Sequence, residues 1–219
     1  MIVTIDGPAG VGKSTVARML AQRLGFRFLN TGAMYRAVAC GALHAGVDMN
    51  DAAAMVRIAH DLQIELQSER VKIDGNDVTK ELRSAAVTAS VHFAADQPEV
   101  RHRLVELQRQ AAVNTDIVSE GRDQGTVAFP DAECKLYLSA SPRERVQRRR
   151  LEMERRGEQV DLDDLLQQLI ERDRRDATRR VGRMRKADDA IEVDTDGMTT
   201  EQVVDRLEEI VRSRQSATR

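Results

Sequence analysis

The octapeptide Gly7-Pro8-Ala9-Gly10-Val11-Gly12-Lys13-Ser14 constrains this chain more than any other stretch. It satisfies the pattern G-x-x-x-x-G-K-[ST] at every fixed position. Ile2, Val3 and Ile5 form a short apolar run ending in Asp6, which reads as a buried strand. After the octapeptide, Val16, Met19, Leu20 and Leu24 recur at helical spacing. The order strand, glycine loop, helix aims consecutive N–H groups and a helix N-terminus at one anion. A lysine at position 13 reaches the β- and γ-phosphates of a nucleotide, and the Ser14 hydroxyl offers a ligand to Mg2+. The pattern predicts the phosphates of a nucleotide held by Gly7, Pro8, Ala9, Gly10, Val11, Gly12, Lys13, Ser14 and Thr15.

The 219 residues suffice for one domain of ordinary core size. Hydrophobic residues make up 41% but aromatics only 3%, so the core must be aliphatic. A net charge of −2 excludes a global basic field that would call for nucleic acid. Charge is nevertheless uneven, because fourteen arginines fall between Arg143 and Arg185. That stretch holds no Phe, Tyr or Trp, which argues against an RNA-stacking surface. The two cysteines, Cys40 and Cys134, lack metal-like spacing and are expected to be buried, inert thiols in a reducing compartment. His44, His60 and His102 are scattered and read as surface or core side chains, not ligands. With no secretory pattern and no membrane-length apolar run, the expectation is a cytoplasmic monomer without nucleic-acid or membrane partners.

Along the chain, Arg27-Phe28-Leu29-Asn30 reads as a second strand. Thr31 is the expected cap of a helix to about His44, and Asp51 of another holding Met55, Ile58, Ala59 and Leu62 inward. Between 63 and 79, alternation at Ile64, Leu66, Val71 and Ile73 around Asp74-Gly75-Asn76-Asp77 predicts a small antiparallel sheet. Helices are expected from Lys80 to Ala94 and, after Pro98, to Val113. Strands follow at Asp116–Glu120 and Lys135–Ser139. Pro142 opens a helix to Arg156, broken by Gly157. Asp161 caps the next, with Leu162, Leu165, Leu166, Leu169 and Ile170 as its apolar stripe. Ile191 and Val193 mark a fifth strand, and a last helix spans Thr199 to Arg212. Strands alternating with helices predict an α/β fold around a five-stranded parallel sheet, with ligands beyond the carboxyl ends of the strands.

Several further segments carry a resemblance. They are Ile5-Asp6-Gly7-Pro8-Ala9-Gly10 with Lys13-Ser14, and Asn30-Thr31-Gly32-Ala33-Met34-Tyr35-Arg36. Pro98-Glu99-Val100-Arg101 and Glu120-Gly121-Arg122-Asp123-Gln124-Gly125-Thr126 follow, then Phe129-Pro130-Asp131-Ala132. Glu171-Arg172-Asp173 with Asp176 and Arg179, and Ala187-Asp188-Asp189-Ala190, complete the set. The chain resembles the bacterial cytidylate kinases among P-loop nucleoside monophosphate kinases over nearly its whole length. The glycine loop is shared by many NTPases, whereas the stretch from Gly121 to Ala132 is far more specific.

The resemblance implies a single P-loop domain over 1–219 with a three-layer fold. A monophosphate-binding insert at about 31–113 would carry the small sheet, and a helical lid would span about 145–180. The implied activity is transfer of the ATP γ-phosphate to CMP or dCMP with Mg2+. Arg36, Arg122 and Arg179 match positions that bind the acceptor phosphate. Arg172 and Asp176 match those that hold the ribose, and Arg101 and Asp123 those that read cytosine. Thr31 and Tyr35 fall in the acceptor-site motif. Lys13, Arg122 and Arg179 are the expected catalytic residues, and Glu120 is expected to bind Mg2+ through water, beside Ser14. Some of Arg145, Arg148, Arg149, Arg155 and Arg156 should meet the ATP phosphates, Arg148 and Arg155 foremost, while the others pair along the helix, as Glu152 with Arg156. Two departures stand out: His92 where relatives carry a base-reading Ser, and Gly182-Arg183-Met184 where they carry a Ser-Pro-Leu-like segment.

Overall fold

The computed structural model describes residues 1–67, 70–155, 157 and 161–217. These divide into two compact units, Met1–Phe28 with Thr115–Arg219, and Leu29–Asn114. In chain order the strands are β1 (Ile2–Asp6), β2 (Arg27–Asn30), β3 (Ile64–Gln67), β4 (Arg70–Ile73), β5 (Asn76–Asp77), β6 (Ile117–Glu120), β7 (Cys134–Ser139) and β8 (Ile191–Asp194). The helices are α1 (Lys13–Leu24), α2 (Thr31–His44), α3 (Ala52–Asp61), α4 (Ala85–Asp96), α5 (Pro98–Ala111), α6 (Pro142–Glu154), α7 (Leu162–Thr178) and α8 (Thr200–Ala217).

The first unit is built on a five-stranded parallel sheet of order β2-β6-β1-β7-β8. Val3, Ile5, Val118, Leu136 and Leu138 are buried on one face of the sheet, and Thr4 and Ser119 are buried on the other, as sandwiched parallel strands require. Val16 and Leu20 of α1 and Val204 and Leu207 of α8 complete the same aliphatic core, the kind a chain poor in aromatics can build. Truncating one of these leucines to Ala would cost about 2–5 kcal/mol. Because β1 lies between β6 and β7, the winding direction reverses there, and the crevice at the carboxyl ends of β1 and β6 is the place for a ligand.

Helices α6 and α7 begin on side-chain caps, Ser141 Oγ accepting from the Glu144 amide and one Asp161 oxygen from the Asp163 and Asp164 amides. Val146, Leu165 and Leu169 pack together on Ala9 of the glycine loop. The apolar stripe of α7 is narrower than the spacing predicts, since Leu162 and Ile170 are exposed. The expected Glu152–Arg156 pair lies outside the described residues at Arg156.

The second unit centres on α2, whose Ala33, Ala37, Ala39, Cys40, Gly41 and Ala42 are all buried. Such small side chains let neighbours close in around the whole helix. The antiparallel sheet β3-β4-β5 joins it through Val71 and Ile73, with Val78, Leu82 and Val87.

Besides shifts of a few residues at other helix ends, three local features differ from the sequence expectation. Asn30, not Thr31, caps α2, its Oδ1 accepting from the Ala33 amide at 3.0 Å. The helix expected from Lys80 is broken: a single 3-10 turn at Glu81–Arg83 ends at Ser84, whose Oγ accepts from Val87 N at 3.2 Å and starts α4 afresh. After β6 the chain makes an unexpected π-helical turn at Gln124–Ala128.

Candidate active site

The glycine loop joins β1 to α1 and is held from both sides. A Cβ on Gly7 would lie 2.2 Å from the Leu138 carbonyl oxygen of β7, so no larger residue fits. Gly12 ends the loop at φ 89°, a left-handed position that favours glycine, and no side chain caps the first turn of α1. No side chain therefore competes with an anion for the first amides of α1. Lys13 is buried, with Nζ donating to Pro8 O at 2.6 Å. Burial first, and then the neighbouring Arg122, push its pKa well down, against the pull of Glu120 and Asp6. Ser14 Oγ donates to Glu120 Oε1 at 2.8 Å, placing two hard oxygens side by side at the carboxyl ends of the sheet.

Asp6, the last residue of β1, organises the opposite wall. Its two carboxylate oxygens accept from the Gln124 amide at 2.9 Å and the Gly125 amide at 2.8 Å. Ser119 Oγ donates to Gln124 Oε1 at 2.7 Å, and the Gly121 amide to Ile5 O at 3.0 Å. These bonds explain the π turn: the chain folds back tightly so that its amides reach a carboxylate under them. They also fix Arg122 and Asp123, which lie between the pinned residues. Burial pushes the Asp6 carboxyl up to about 7, against the two amides that favour its charge.

Arg122 meets the end of α7. Its Nε donates to Asp176 Oδ2 at 2.8 Å, and Arg179 Nη2 donates to Asp176 Oδ1 at 2.7 Å. Arg179 sits just past the helix in extended backbone, so the three expected residues Arg172, Asp176 and Arg179 do not share one helix. Burial works against the Asp176 charge, yet Arg122, Arg179 and Arg172 outweigh it and lower its pKa. One carboxylate thus holds two guanidiniums. Arg172 itself is exposed.

The arginines of α6 separate into two kinds. Arg145 is buried; its Nη1 donates to Ala9 O at 3.1 Å and to Asp173 Oδ2. Asp173 Oδ1 in turn accepts from the Ala9 amide at 3.1 Å. Arg148 donates to Val11 O at 3.3 Å, Thr195 Oγ1 at 2.9 Å and Thr195 O at 2.5 Å. By contrast Arg149 pairs with Glu152 at 2.6 Å and Arg150 with Glu154 at 3.2 Å along the helix surface. Arg155 is exposed at the helix end.

In the second unit, Thr31, Tyr35 and Arg36 occupy the start of α2. Arg36 Nη1 donates to Leu82 O at 3.1 Å and to Thr88 Oγ1 at 2.9 Å. Arg101 is buried; its Nη1 donates to Ala95 O at 3.0 Å, and its guanidinium lies 5.1 Å from the Tyr35 ring centroid. His92, on α4, is half-buried against the Phe93 ring at 4.1 Å.

Two positioning carboxylates escaped the sequence reading. Asp6 was legible as a strand end and, like Asp173, as part of a matched segment, without a role; a charged residue in an otherwise apolar strand end was the available signal.

A family model described as cytidylate kinase matches residues 3–213. The chain belongs to the cytidylate kinase family. A cytidylate kinase of Rhodopirellula baltica is 45% identical, covering 97% of this chain and 93% of that protein. One of Pelotomaculum thermopropionicum is 49% identical, covering 92% of each. One of Geobacter sulfurreducens is 42% identical, covering 100% of this chain and 95% of its own. The chain is therefore a nucleotide-binding kinase. A solved structure of an uncharacterised protein from Eubacterium ventriosum shares the fold at a TM-score of 0.53, with 15% identity and coverage of 97% and 98%. Among the described residues no helix is long and apolar enough to cross a membrane.

Proposed function

We propose that this cytidylate kinase family member transfers the γ-phosphate of ATP to CMP and dCMP by direct in-line displacement, with Mg2+. The observation that carries the reading is the Arg122–Asp176–Arg179 cluster, two guanidiniums held side by side by one carboxylate. Lys13 and the loop from Gly7 to Thr15 bind ATP, with Arg148 and Arg155 completing its site. The phosphates supply the negative charge that Lys13 needs to keep its proton. Ser14 and Glu120 form an all-oxygen donor pair that fits Mg2+, Ser14 as a direct ligand and Glu120 through water. Held by these residues, Mg2+ would supply neutralisation of charge on the transferring phosphoryl group.

Arg36, Arg122 and Arg179 bind the acceptor phosphate, where planar guanidinium forks donate paired hydrogen bonds. Arg172 and Asp176 hold the ribose, Asp176 anchoring the phosphate-binding arginines as well. Asp123 accepts from the cytosine amino group, Arg101 donates to the ring acceptors, and Thr31 and Tyr35 line the acceptor. Uracil would set a carbonyl oxygen against the Asp123 carboxylate, an arrangement such sites reject strongly. No general base is needed, because the acceptor phosphate is already an anionic nucleophile. In this proposal the chain is one kinase domain, with insert at about 31–113 and lid at about 145–180, working as a cytoplasmic monomer without nucleic acid.

The test is ADP release from ATP-Mg2+ with CMP, dCMP, UMP, AMP or no acceptor, for wild type and Asp123→Ala. Turnover with CMP and dCMP, far less with UMP, and loss of that preference in the variant are expected. Release that ignores the acceptor would make the protein an ATPase or nucleotide sensor instead.

A further inference from the structure

Helix α2 places Cys40 and His44 four residues apart, hence on one face, and the 3-10 turn at Glu81–Arg83 brings Glu81 over them. The Cys40 Sγ lies 3.7 Å from His44 Nε2, which lies 2.5 Å from Glu81 Oε1. All three donor atoms fall within 4.8 Å of one another. We propose that Cys40, His44 and Glu81 form a binding site for a thiophilic divalent metal, Zn2+ before others.

The chemistry follows from the donor set. A thiolate and an imidazole select borderline metals such as Zn2+ and reject Mg2+, which demands oxygen. In a tetrahedral zinc site, with bonds of about 2.3 Å to sulfur and 2.0–2.1 Å to nitrogen, the S···N edge is about 3.6 Å. The Cys40–His44 spacing already has that length. The imidazole–carboxylate edge of such a site is about 3.4 Å, so Glu81 must withdraw by about 1 Å. It can, because it is exposed and sits on a single short turn. His44 is also exposed, which leaves the fourth position to water and gives the ion a way in. Cys40 is buried, and burial together with Glu81 pushes its thiol up to about 11. Metal binding would replace that proton, which leaves to solvent. The site is separate from Ser14 and Glu120 in residues and in donor type. The turn carrying Glu81 also supplies Leu82 O, which holds Arg36, so a metal there would fasten the segment that orients this arginine.

The experiment is titration of the full chain with Co2+, followed by absorption. Wild type should bind one Co2+ with visible bands of a four-coordinate ion and a near-ultraviolet thiolate-to-cobalt band. Zn2+ should abolish both, and Mg2+ neither. Cys40→Ser and His44→Ala should lose the thiolate band, Glu81→Gln should weaken binding, and Cys134→Ser should behave as wild type. In parallel, Zn2+ should raise the melting temperature of wild type and not that of His44→Ala, a surface change that leaves the fold intact. No thiolate band in wild type, or a band that survives His44→Ala and Glu81→Gln, would overturn the assignment, even if Cys40→Ser failed to fold.

Discussion

The charges around the glycine loop and those on the outer face of α6 use the same residue types to opposite ends. Arg145 and Arg148 reach loop carbonyls, and Asp173 takes a loop amide, so each charge is tied to backbone that must hold still. Among the described residues, Arg149 and Arg150 pair with glutamates one turn along their own helix. The difference teaches that the arginine excess of this chain is not one feature. Charges with backbone partners set the shape of the phosphate site. Pairs with a glutamate on the same helix contribute a few tenths of a kcal/mol each and no shape, whether made by Arg149 and Arg150 or by Arg148 with Glu144.

The comparison breaks most visibly at Arg145. Arg145→Ala strands the Asp173 carboxylate with a single amide, and a loss on the order of 3 kcal/mol is expected, read as a lower midpoint in denaturant unfolding. Arg149→Ala as the control should shift the midpoint by no more than about 0.5 kcal/mol and leave turnover unchanged.

Asp6 sharpens it through pH. Its folded pKa of about 7 lies above its ordinary 3.8, so the folded protein binds the proton more tightly than the unfolded chain does. That group's contribution is full below pH 4 and is lost as pH rises towards 7. Relative to Asp6→Asn, wild type should therefore lose stability across that window, by at most about 4 kcal/mol. A parallel pair of stability curves would mean that Asp6 ionises normally.

Arg148→Ala removes the bonds to Val11 O and to Thr195, at a cost of about 1–3 kcal/mol. Its kinetic signature should be a raised KM for ATP with little change in the KM for CMP. Equal changes in both would place Arg148 outside the ATP site.

The parts legible in the sequence are those with local causes. The glycine loop, the alternation of strands and helices, and the hairpin turn at Asp74-Gly75 each depend on a few consecutive residues. The boundary at Asn30 was missed because the adjacent Thr31 offers a comparable cap, and the break at Ser84 because a capping serine also reads as an ordinary residue inside a longer helix. The site's supports were hidden for a different reason. Asp6 bonds amides 118 residues away, and Arg145 bonds Ala9 at a separation of 136, pairings that no period or motif announces. The arginine run showed that some cations would serve the loop; only the direction in which each position of α6 faces shows which.

The most direct measurement follows the labelled γ-phosphate of ATP in the presence of CMP and Mg2+. The account predicts that the label appears in CDP, one for each ADP formed, and that almost none is released without CMP. Label recovered as inorganic phosphate at a rate indifferent to CMP would contradict it.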